Sequence, residues 1–390
     1  MINTIQLNTK YIFGKDVVTQ HLQEELSSRK IKTIMLVYGG GSIKKNGLYQ
    51  EIINVCKKSK VKVIEHSGIE PNPRDVGIYQ ASITARKNKV QLIIAAGGGS
   101  VIDACKVIGI LATNPQYKNA WDYVVNQSKV VKPSIPLFSI VTLAATGSES
   151  NAGSVITNAK THYKRGTNVP SGRPIVAFED PKYTLTLSWW QTACGIFDIF
   201  SHLCESYFDV NQTFEWTKQY ILANMRVLVD CAKILKKNNQ DYDARANLLW
   251  TSSWALNDLN AFHTNGGDWT THKLEHAVSG LWDVPHGAGL ALLTPNYLKY
   301  MCKHNKTFIK YCLEIGKDVF KVNTLEQFFK SLISFIKLLG LPQKFTDFDV
   351  IKSVSNKDIE WLVNHFCSIM KYPKNGFKFK LAKFVFESVR

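Results

Sequence analysis

Two short apolar runs in the first hundred residues end in the same four residues, Gly-Gly-Gly-Ser. The runs are Lys32–Tyr38 and Gln91–Ala96, and the turns occupy positions 39–42 and 97–100. An apolar run of this length before a glycine-rich turn is typical of a strand buried on both faces, as in parallel sheets. The repeated turn therefore favours an α/β fold for this part of the chain.

The first half of the chain alternates between predicted strands and predicted helices. Helical spacing of apolar residues covers Leu48–Lys58 and Asp75–Asn88, and a further helix is predicted to begin at Val101. Short strands are predicted at Lys62–Glu65 and Leu137–Thr142. Strands that alternate with helices predict a parallel, Rossmann-like sheet covered by helices on both faces.

From Ser188 onward the pattern is helical almost throughout. Pro295 is expected to interrupt it, because proline lacks the amide hydrogen that a helix interior needs. The Pro- and Gly-rich stretch Gly166–Thr184 separates the two patterns. We therefore predict an α/β domain over residues 1–183 and an all-helical domain over residues 184–390. The main predicted helices of the second domain are Ser188–Asp209, Phe214–Lys237, Tyr242–Asn260, Thr270–Ser279 and Gly287–Met301.

Composition and charge narrow the function classes. The chain has 390 residues, of which 45% are hydrophobic, so it has enough apolar material for two packed domains. Its formal charge of +17 invites a nucleic-acid-binding hypothesis. That alternative predicts clustered Lys and Arg interleaved with exposed aromatics, whereas the clusters here are small and carry no nucleic-acid motif. We therefore expect no nucleic-acid partner.

Cysteine usage and the length of apolar runs bear on the cellular compartment. None of the eight cysteines forms a Cys-x-x-Cys pair, so we expect free, mostly buried thiols in a reducing compartment. The polar stretch Met1–Lys10 lacks the features of a secretory leader. The longest apolar runs, such as Pro136–Ala145, are far shorter than the roughly 20 residues that span a bilayer. These features predict a soluble, cytoplasmic protein with no membrane partner.

The second Gly-Gly-Gly-Ser turn has the features of a phosphate-binding loop. Gly97, Gly98 and Gly99 allow the backbone to approach an anion, and the helix that follows presents an N-terminus, which favours negative charge. The turn also follows a parallel strand, at the edge of the sheet where α/β proteins bind ligands. The spacing is not G-x-G-x-x-G, and a tight turn without a ligand is the alternative for either copy.

The first turn bears on the choice of nucleotide. An acidic residue at such a position accepts the ribose hydroxyls of NAD and repels the 2′-phosphate of NADP. Here the turn reads Gly-Gly-Gly-Ser-Ile-Lys-Lys and has no carboxylate. Ser42 can donate a hydrogen bond, and Lys44 or Lys45 can supply positive charge. We therefore predict NADP(H) rather than NAD(H), with the alternative that both lysines are ordinary surface charges.

A set of acidic and imidazole side chains in the helical half suggests a metal site. Asp198 and His202 are four residues apart, as are His272 and His276, and His286 follows in Val-Pro-His-Gly. A spacing of four places both side chains of a pair on one helix face. One carboxylate with two or three imidazoles suits Zn²⁺ or Fe²⁺. The spacing leaves open whether His272 or His276 is a ligand, and any one of these histidines alone is more often structural.

These motifs together resemble those of the iron-containing (group III) alcohol dehydrogenases, most closely the NADPH-dependent butanol dehydrogenase and aldehyde reductase branch. The matching segments are ordered along the chain and extend over roughly residues 10–300. Beyond about residue 310 the similarity is only generic. A departure from the family pattern is the extra carboxylate of Glu179, which we expect to affect loop packing rather than chemistry. The matching segments are YGGGSIKKNG (38–47), GGGSVIDACKVIG (97–109), TLAATGSESNAGSVIT (142–157), EDPKYTLTL (179–187), FDIFSHLCESYF (197–208) and HKLEHAVSGLWDVPHGAGLALLTP (272–295).

The resemblance implies a dehydroquinate synthase-like fold, with a metal in the cleft between a nucleotide-binding domain and a helical domain. It implies that His276 is a neighbour of the metal rather than a ligand. The implied metal ligands are Asp198, His202, His272 and His286. The implied pyrophosphate loop comprises Gly97, Gly98, Gly99, Ser100 and Asp103, and a second cofactor loop includes Thr142, Leu143 and Ser148. The position that sets NAD or NADP choice corresponds to Gly39, Gly40, Gly41 and Ser42, and Lys164 corresponds to a lysine close to the cofactor.

The activity implied by the resemblance is reversible hydride transfer between NADP(H) and a short- to medium-chain primary alcohol or aldehyde. One divalent ion, Fe²⁺ or Zn²⁺, is expected to polarise the substrate oxygen. His276 is a candidate proton relay, with a supporting hydrogen-bonding role as the alternative, and Lys164 is the other candidate catalytic residue. A glycerol dehydrogenase or another polyol oxidoreductase on the same scaffold is the alternative function. A homodimer is expected from the family.

Overall fold

We describe the fold from a computed structural model of the chain. The structure describes residues 7–209 and 214–390. Residues 1–6, which the predicted first domain and the polar opening stretch include, lie outside the described residues. Contacts between residues divide the described chain into two compact units. The first unit contains residues 7–187 and Gln240–Ser253, and the second contains the described residues of Ser188–Asn239 and Trp254–Arg390.

The first unit is built on a parallel sheet. The strands of this unit are β1 (Lys10–Phe13), β2 (Thr33–Tyr38), β3 (Lys62–His66), β4 (Leu92–Gly97), β5 (Leu137–Val141), β6 (Gly153–Thr157), β7 (Lys164–Asn168) and β8 (Val176–Glu179). Six of them form one sheet in the order β1-β8-β5-β4-β2-β3, and every neighbouring pair is parallel. Strands β6 and β7 form a separate antiparallel pair. The predicted parallel α/β fold is confirmed.

The two glycine-rich turns lie side by side in this sheet. They follow β2 and β4, which are hydrogen-bonded neighbours. The chain passes from β2 outward to β3 and then crosses back to β4 on the other side of β2. The direction of winding therefore reverses between β2 and β4, and such a reversal is where open α/β sheets bind ligands, beyond the carboxyl ends of the strands.

Helices of the first unit connect and cover the strands. They are α1 (Val17–Ser28), α2 (Ser42–Lys45), α3 (Leu48–Lys58), α4 (Asp75–Lys87), α5 (Gly99–Thr113) and α6 (Ala120–Val125). Helix α5 packs on β4, β6 and α4 and is buried almost throughout. A core of apolar side chains from β2, β4, β5 and β8 packs against α1 and α3.

The helices that follow Ser188 form the second unit, apart from most of α9. They are α7 (Trp189–Tyr207), α8 (Glu215–Lys237), α9 (Tyr242–Ala255), α10 (Thr270–Trp282), α11 (His286–His304), α12 (Lys306–Ile315), α13 (Leu325–Leu339), α14 (Asn356–Met370) and α15 (Phe377–Ser388). Most of α9 clusters with the first unit.

Short helical turns also occur in both units. They lie at Ser148–Ser150, Pro170–Gly172, Pro181–Thr184, Gly316–Phe320 and Phe345–Asp347.

Apart from helix ends that shift by at most three residues, two helix predictions differ from the structure. Helix α9 ends at Ala255, short of the predicted Asn260, where the side chain of Asn260 donates to the backbone carbonyl of Ala255. Pro295 lies inside α11 rather than interrupting it. The residues around Pro295 are buried, and α11 packs against α7, α10 and α15. Tertiary packing therefore offsets the lost helix hydrogen bond.

The remaining sequence expectations concern thiols and membranes. All eight cysteines are free, and all but the partly exposed Cys194 are buried, as predicted. Across residues 7–209 and 214–390, no helix combines the length and the apolarity that crossing a bilayer requires.

Candidate metal centre and cofactor loops

Three imidazoles converge on one carboxylate oxygen in the second unit. The Asp198 Oδ1 atom lies 3.6 Å from His202 Nε2, 3.6 Å from His272 Nε2 and 3.7 Å from His286 Nε2. The four side chains come from α7, α10 and the first residue of α11. The structure thus brings together all four residues that the resemblance implies as metal ligands.

Local features of the sequence hold these helices close together. Helix α7 begins with a capping box, in which Ser188 and Gln191 each bond the other's backbone amide. In α11 a β-carbon at Gly287 would lie 1.9 Å from the backbone oxygen of Cys194 in α7. Only glycine fits this contact, so the His-Gly pair allows α11 to approach α7 at the point where His286 meets Asp198.

The side chains around Asp198 Oδ1 suit a divalent cation. Asp198, His202 and His272 each offer an atom within 4.8 Å of the others, and His286 Nε2 faces the same Asp198 oxygen at 3.7 Å. Four ligands in a tetrahedron around a cation about 2.1 Å away lie about 3.4 Å apart, close to the separations of Asp198 Oδ1 from the three Nε2 atoms. Asp198 Oδ1 and His272 Nε2 are buried and make no hydrogen bond within the described residues. Because buried polar atoms are normally paired, such atoms facing one another are what a metal site requires.

Burial and mutual charge set the proton affinities of this group. Burial alone would raise the pKa of Asp198, but the imidazoles of His202, His286 and His272 outweigh burial and hold it below its ordinary range. Burial lowers the pKa of His202 to about 4. Burial would also lower the pKa of His272, but the carboxylates of Glu205 and Asp198 raise it to about 10. A metal ion must therefore displace a proton from His272.

Two carboxylates that the sequence reasoning missed support the histidines. Glu205 Oε2 contacts His272 Nδ1, and Glu275 Oε2 contacts His286 Nδ1. Both glutamates are fully buried. Glu205 lies three residues after His202 on the same face of α7, and a carboxylate so placed is a signal that could have found it, since metal-binding histidines usually donate their second N–H to such a group.

His276 lies beside His286 and outside the group centred on Asp198. The two ring centroids are 5.7 Å apart, and His276 is nearly buried. Glu275, His276 and His286 each offer an atom within 4.8 Å of the others. The structure therefore places His276 next to one predicted ligand, on the same helix as His272.

The second glycine-rich turn is tightly packed by neighbouring side chains. A β-carbon at Gly97 would lie 2.5 Å from the Val101 side chain, and one at Gly99 would lie 2.3 Å from Thr146. At Gly98 a β-carbon would meet Leu143 at 3.2 Å. Gly98 and Gly99 thus allow the close approach of the loop after β5, whose Thr142 amide donates to the Gly97 carbonyl. Gly97 instead leaves room for Val101 of α5. Ser100 is half-buried in the first turn of α5.

Asp103 and Ser148 point into a buried polar cluster. Ser148 Oγ accepts a hydrogen bond from Lys106 Nζ at 2.7 Å and donates to Asp103 Oδ1 at 2.5 Å. Asp103 Oδ2 also accepts from the Val155 amide at 2.8 Å. Burial raises the pKa of Asp103 and lowers that of Lys106 to about 8. In the structure these side chains join α5 to the loop that contains Ser148 and to β6.

Positive charge at the first turn is held over aromatic rings. Gly41 has a φ of 101°, which favours glycine, and Gly39, Gly40 and Ser42 complete the turn. Lys44 Nζ lies 4.8 Å from the Tyr49 ring centroid and 5.4 Å from that of Tyr38. Lys44 and Lys45 are both exposed. The hydroxyls of both tyrosines donate to the Glu65 carboxylate, so the turn has a carboxylate neighbour from β3.

Lys164 lies at the start of β7. It is almost fully buried, and its Nζ donates to Asn72 Oδ1 at 2.7 Å. A buried ammonium requires a polar partner of this kind.

Comparisons with known proteins agree over most of the chain. The family profile for iron-containing alcohol dehydrogenases matches residues 8–181, and the profile for the C-terminal part of that family matches residues 192–375. NADH-dependent butanol dehydrogenase B of Clostridium acetobutylicum is 37% identical over 348 residues, which is 87% of each chain. NADPH-dependent aldehyde reductase YqhD of Escherichia coli is 33% identical over 287 residues, covering 74% of this chain and 73% of that one.

Solved structures show the same fold. The crystal structure of a Thermotoga maritima protein described as NADH-dependent butanol dehydrogenase A superposes with a TM-score of 0.90 at 30% identity, covering 100% of this chain and 98% of that one. Escherichia coli YqhD superposes with a TM-score of 0.89 at 27% identity, covering 99% and 98%.

Proposed function

Because the chain belongs to the iron-containing alcohol dehydrogenase family, we propose that it interconverts short- to medium-chain primary alcohols and aldehydes with NADP(H). Its activity as an alcohol dehydrogenase or aldehyde reductase follows from relatives that cover most of its length, named butanol dehydrogenases and an aldehyde reductase. A nicotinamide cofactor and a divalent metal are implied by the family. The choice of NADP(H) over NAD(H), the identity of the metal ion and the residues that bind each of them are what we propose.

The observation that carries the proposal is the convergence of three Nε2 atoms on Asp198 Oδ1. We assign Asp198, His202, His272 and His286 as the residues that hold the cation. When bound, a divalent cation supplies Lewis-acid stabilisation of negative charge on a carbonyl oxygen, and a nicotinamide supplies or accepts the hydride. Neutral imidazoles and one carboxylate suit Fe²⁺ and Zn²⁺ alike.

The chain's own residues bind and orient the reactants. The Gly97–Ser100 turn opens α5, whose N-terminus favours the negative charge of the pyrophosphate, and Thr142 and Leu143 lie in the adjacent loop. The direct bond between Ser148 and Asp103, together with the bond from Lys106 to Ser148, joins α5 to the loop that contains Ser148. We propose that Lys164 contributes positive charge beside the nucleotide.

We propose that a ring nitrogen of His276 passes the alcohol proton to and from solvent. Its imidazole lies beside His286, and an imidazole titrates near neutral pH. The alternative is that it only supports His286. In the His276→Ala variant a relay predicts a lower kcat and a changed pH profile, whereas a retained kcat with the wild-type profile would remove His276 from the mechanism.

The preference for NADP(H) is supported by the first turn rather than by the relatives. Lys44 is held over two rings, and the turn itself carries no acidic side chain. The names of the relatives do not agree on the nucleotide, since the butanol dehydrogenase is called NADH-dependent and the aldehyde reductase NADPH-dependent. A kcat/KM with NADH that equals or exceeds the value with NADPH would overturn this part.

The deciding experiment is aldehyde reduction by metal-depleted and reloaded protein. Protein treated with chelator should not oxidise NADPH with butyraldehyde, and Fe²⁺ or Zn²⁺ should restore the activity. Full activity of the metal-free protein would contradict the assignment. A panel that adds glycerol and 1,2-diols separates the primary-alcohol activity from a polyol oxidoreductase.

Two structural proposals accompany the function. We propose that residues 1–183 and 184–390 correspond to the nucleotide-binding and metal-binding domains, which limited proteolysis can test. We also propose a homodimer, for which light scattering in solution gives the mass directly.

A further inference from the structure

We propose that Glu205 and Glu275 are positioning residues that each fix one predicted metal-binding imidazole through its Nδ1 atom, whereas His202 has no such support. The inference rests on the proposed function, because it concerns the ligands assigned there. It adds two residues to the metal centre. It also implies that two of the three imidazoles are oriented by a carboxylate and the third is not.

Glu205 serves two structural needs at once. Its Oε2 atom contacts His272 Nδ1, and its Oε1 atom accepts the backbone amides of Thr271 at 2.7 Å and His272 at 3.3 Å. These amides belong to the first turn of α10, whose N-cap residue, Trp269, provides no side-chain cap. A carboxylate from α7 therefore caps α10 and orients the imidazole that this helix carries.

The contact selects the tautomer of His272. An ionised carboxylate only accepts hydrogen bonds, so Nδ1 must carry the proton that it donates to Glu205. In the neutral ring Nε2 then keeps its lone pair, and Nε2 is the atom that faces Asp198 Oδ1 at 3.6 Å. The same argument applies to His286, since its Nδ1 meets Glu275 Oε2 and its Nε2 faces Asp198.

His202 differs from the other two imidazoles. Its Nδ1 atom is buried and makes no hydrogen bond to any residue in the described parts of the chain. Its ring is stacked on that of His272, with centroids 4.7 Å apart. Packing rather than a carboxylate therefore sets the orientation of His202.

The two glutamates also change the charge of the centre. A dication with Asp198 and three neutral imidazoles carries a formal charge of +1. Counting the buried carboxylates of Glu205 and Glu275 gives −1. Carboxylates behind the imidazoles make these ligands more basic and hold the metal more tightly.

Glutamine at position 205 cannot replace glutamate. Both oxygens of Glu205 accept hydrogen bonds, and glutamine has only one acceptor oxygen. If its oxygen faces the α10 amides, its NH₂ group faces His272 Nδ1 and favours the tautomer with a proton on Nε2. If the amide group of the glutamine is flipped, its oxygen faces His272 Nδ1, its NH₂ group faces the α10 amides, and α10 loses its cap. Either orientation weakens metal binding.

The test compares Co²⁺ binding by wild type and by the Glu205→Gln and Glu275→Gln variants. Chelator competition on the full chain measures affinity, and the visible absorption of bound Co²⁺ reports ligand geometry. We expect about 10–100-fold weaker binding in both variants, by analogy with residues that support zinc ligands, together with a shifted Co²⁺ spectrum. The matched control is Glu314→Gln, which changes a carboxylate bonded to Tyr207 and Lys218 and should leave affinity and spectrum unchanged.

The outcomes separate this inference from the proposed function. If wild type binds Co²⁺, Asp198→Ala abolishes binding, and both glutamine variants bind within twofold of wild type with an unchanged spectrum, the positioning role is wrong and the metal site stands. If wild type binds no Co²⁺, or Asp198→Ala binds it normally, the assigned site fails and the positioning role fails with it. Glu275→Gln keeps the test valid if loss of the α10 cap prevents Glu205→Gln from folding.

Discussion

Gly289 leaves room for the side chain of Glu275. A β-carbon at position 289 would lie 2.8 Å from both Cγ and Oε1 of Glu275, which is closer than non-bonded atoms approach. Gly289 lies on α11, three residues after His286, the imidazole that Glu275 contacts. The second glycine of the His-Gly-Ala-Gly segment is therefore linked to the orientation of a predicted metal ligand.

The Gly289→Ala variant should weaken metal binding without touching a ligand. The added methyl group must displace Glu275, which then releases His286. Overpacking of this kind costs about 1–3 kcal/mol of stability, and we expect about tenfold lower metal affinity by chelator competition. Gly166→Ala is the matched control, since its β-carbon would meet open space. Equal metal affinity in the two variants would show that Glu275 does not need this space.

The Asp198→Asn variant tests the centre itself. Asparagine keeps the size of the side chain but replaces the negatively charged carboxylate whose Oδ1 faces all three Nε2 atoms. We expect metal content near zero and a loss of turnover beyond the about 10–100-fold that a supporting residue costs. NADPH binding, measured by fluorescence titration, should change little. Wild-type metal content in the variant would disprove the ligand assignment.

The sequence predicts those parts of the fold and the site that depend on the pattern of residues close together in the chain. The apolar runs of β2 and β4 and the spacing of Asp198 and His202 are visible in a single segment. The strands β1, β6, β7 and β8 were not predicted. Each has only four or five residues, and pairing with a neighbouring strand rather than local pattern defines them.

Contacts between distant helices could not be predicted in the same way. Glu205 is 67 residues from His272, and no local pattern in either segment indicates that α7 and α10 contact each other there. Spacing alone also left His272 and His276 as alternatives. Only the packed helices show that His272 faces Asp198 while His276 lies beside His286.

Cofactor choice should respond to Lys44. Its ammonium is held over Tyr38 and Tyr49, where it can bond the 2′-phosphate of NADP, and a hydrogen bond to a charged group contributes about 1.5–3 kcal/mol. We expect Lys44→Ala to lower kcat/KM with NADPH by about tenfold or more and to leave the value with NADH nearly unchanged. Lys57→Ala, an exposed lysine at the end of α3, is the control. An equal loss with both nucleotides would assign Lys44 a structural role.

Glu179 and Glu149 share one serine hydroxyl inside the first unit. Ser253 Oγ lies 2.6 Å from Glu149 Oε1 and 2.7 Å from Glu179 Oε1. A hydroxyl has one proton to donate, so one of the two carboxyl groups must donate to the serine and be protonated. The extra carboxylate at position 179, which the sequence predicts to affect loop packing rather than chemistry, is fully buried in this pair.

The electrostatics indicate that Glu179 holds the proton. Burial and the charge of Glu149 raise the pKa of Glu179 well above 4.5. Burial also raises the pKa of Glu149, but Ser253 and the ammonium of Lys106 oppose that rise. Between the unfolded pKa near 4.5 and the raised folded value, the folded state binds more protons than the unfolded state.

Stability conferred by the neutral Glu179 carboxyl should therefore fall with increasing pH. Its contribution is fully present below pH 4.5 and is lost at about 1.4 kcal/mol per pH unit as pH rises towards the folded pKa. Glutamine mimics the protonated form, so the thermal midpoint of Glu179→Gln relative to wild type should increase between pH 5 and pH 8. Glu24→Gln, at an exposed position of α1, should show no such trend. A constant difference in midpoint across this range would show that Glu179 is ionised throughout.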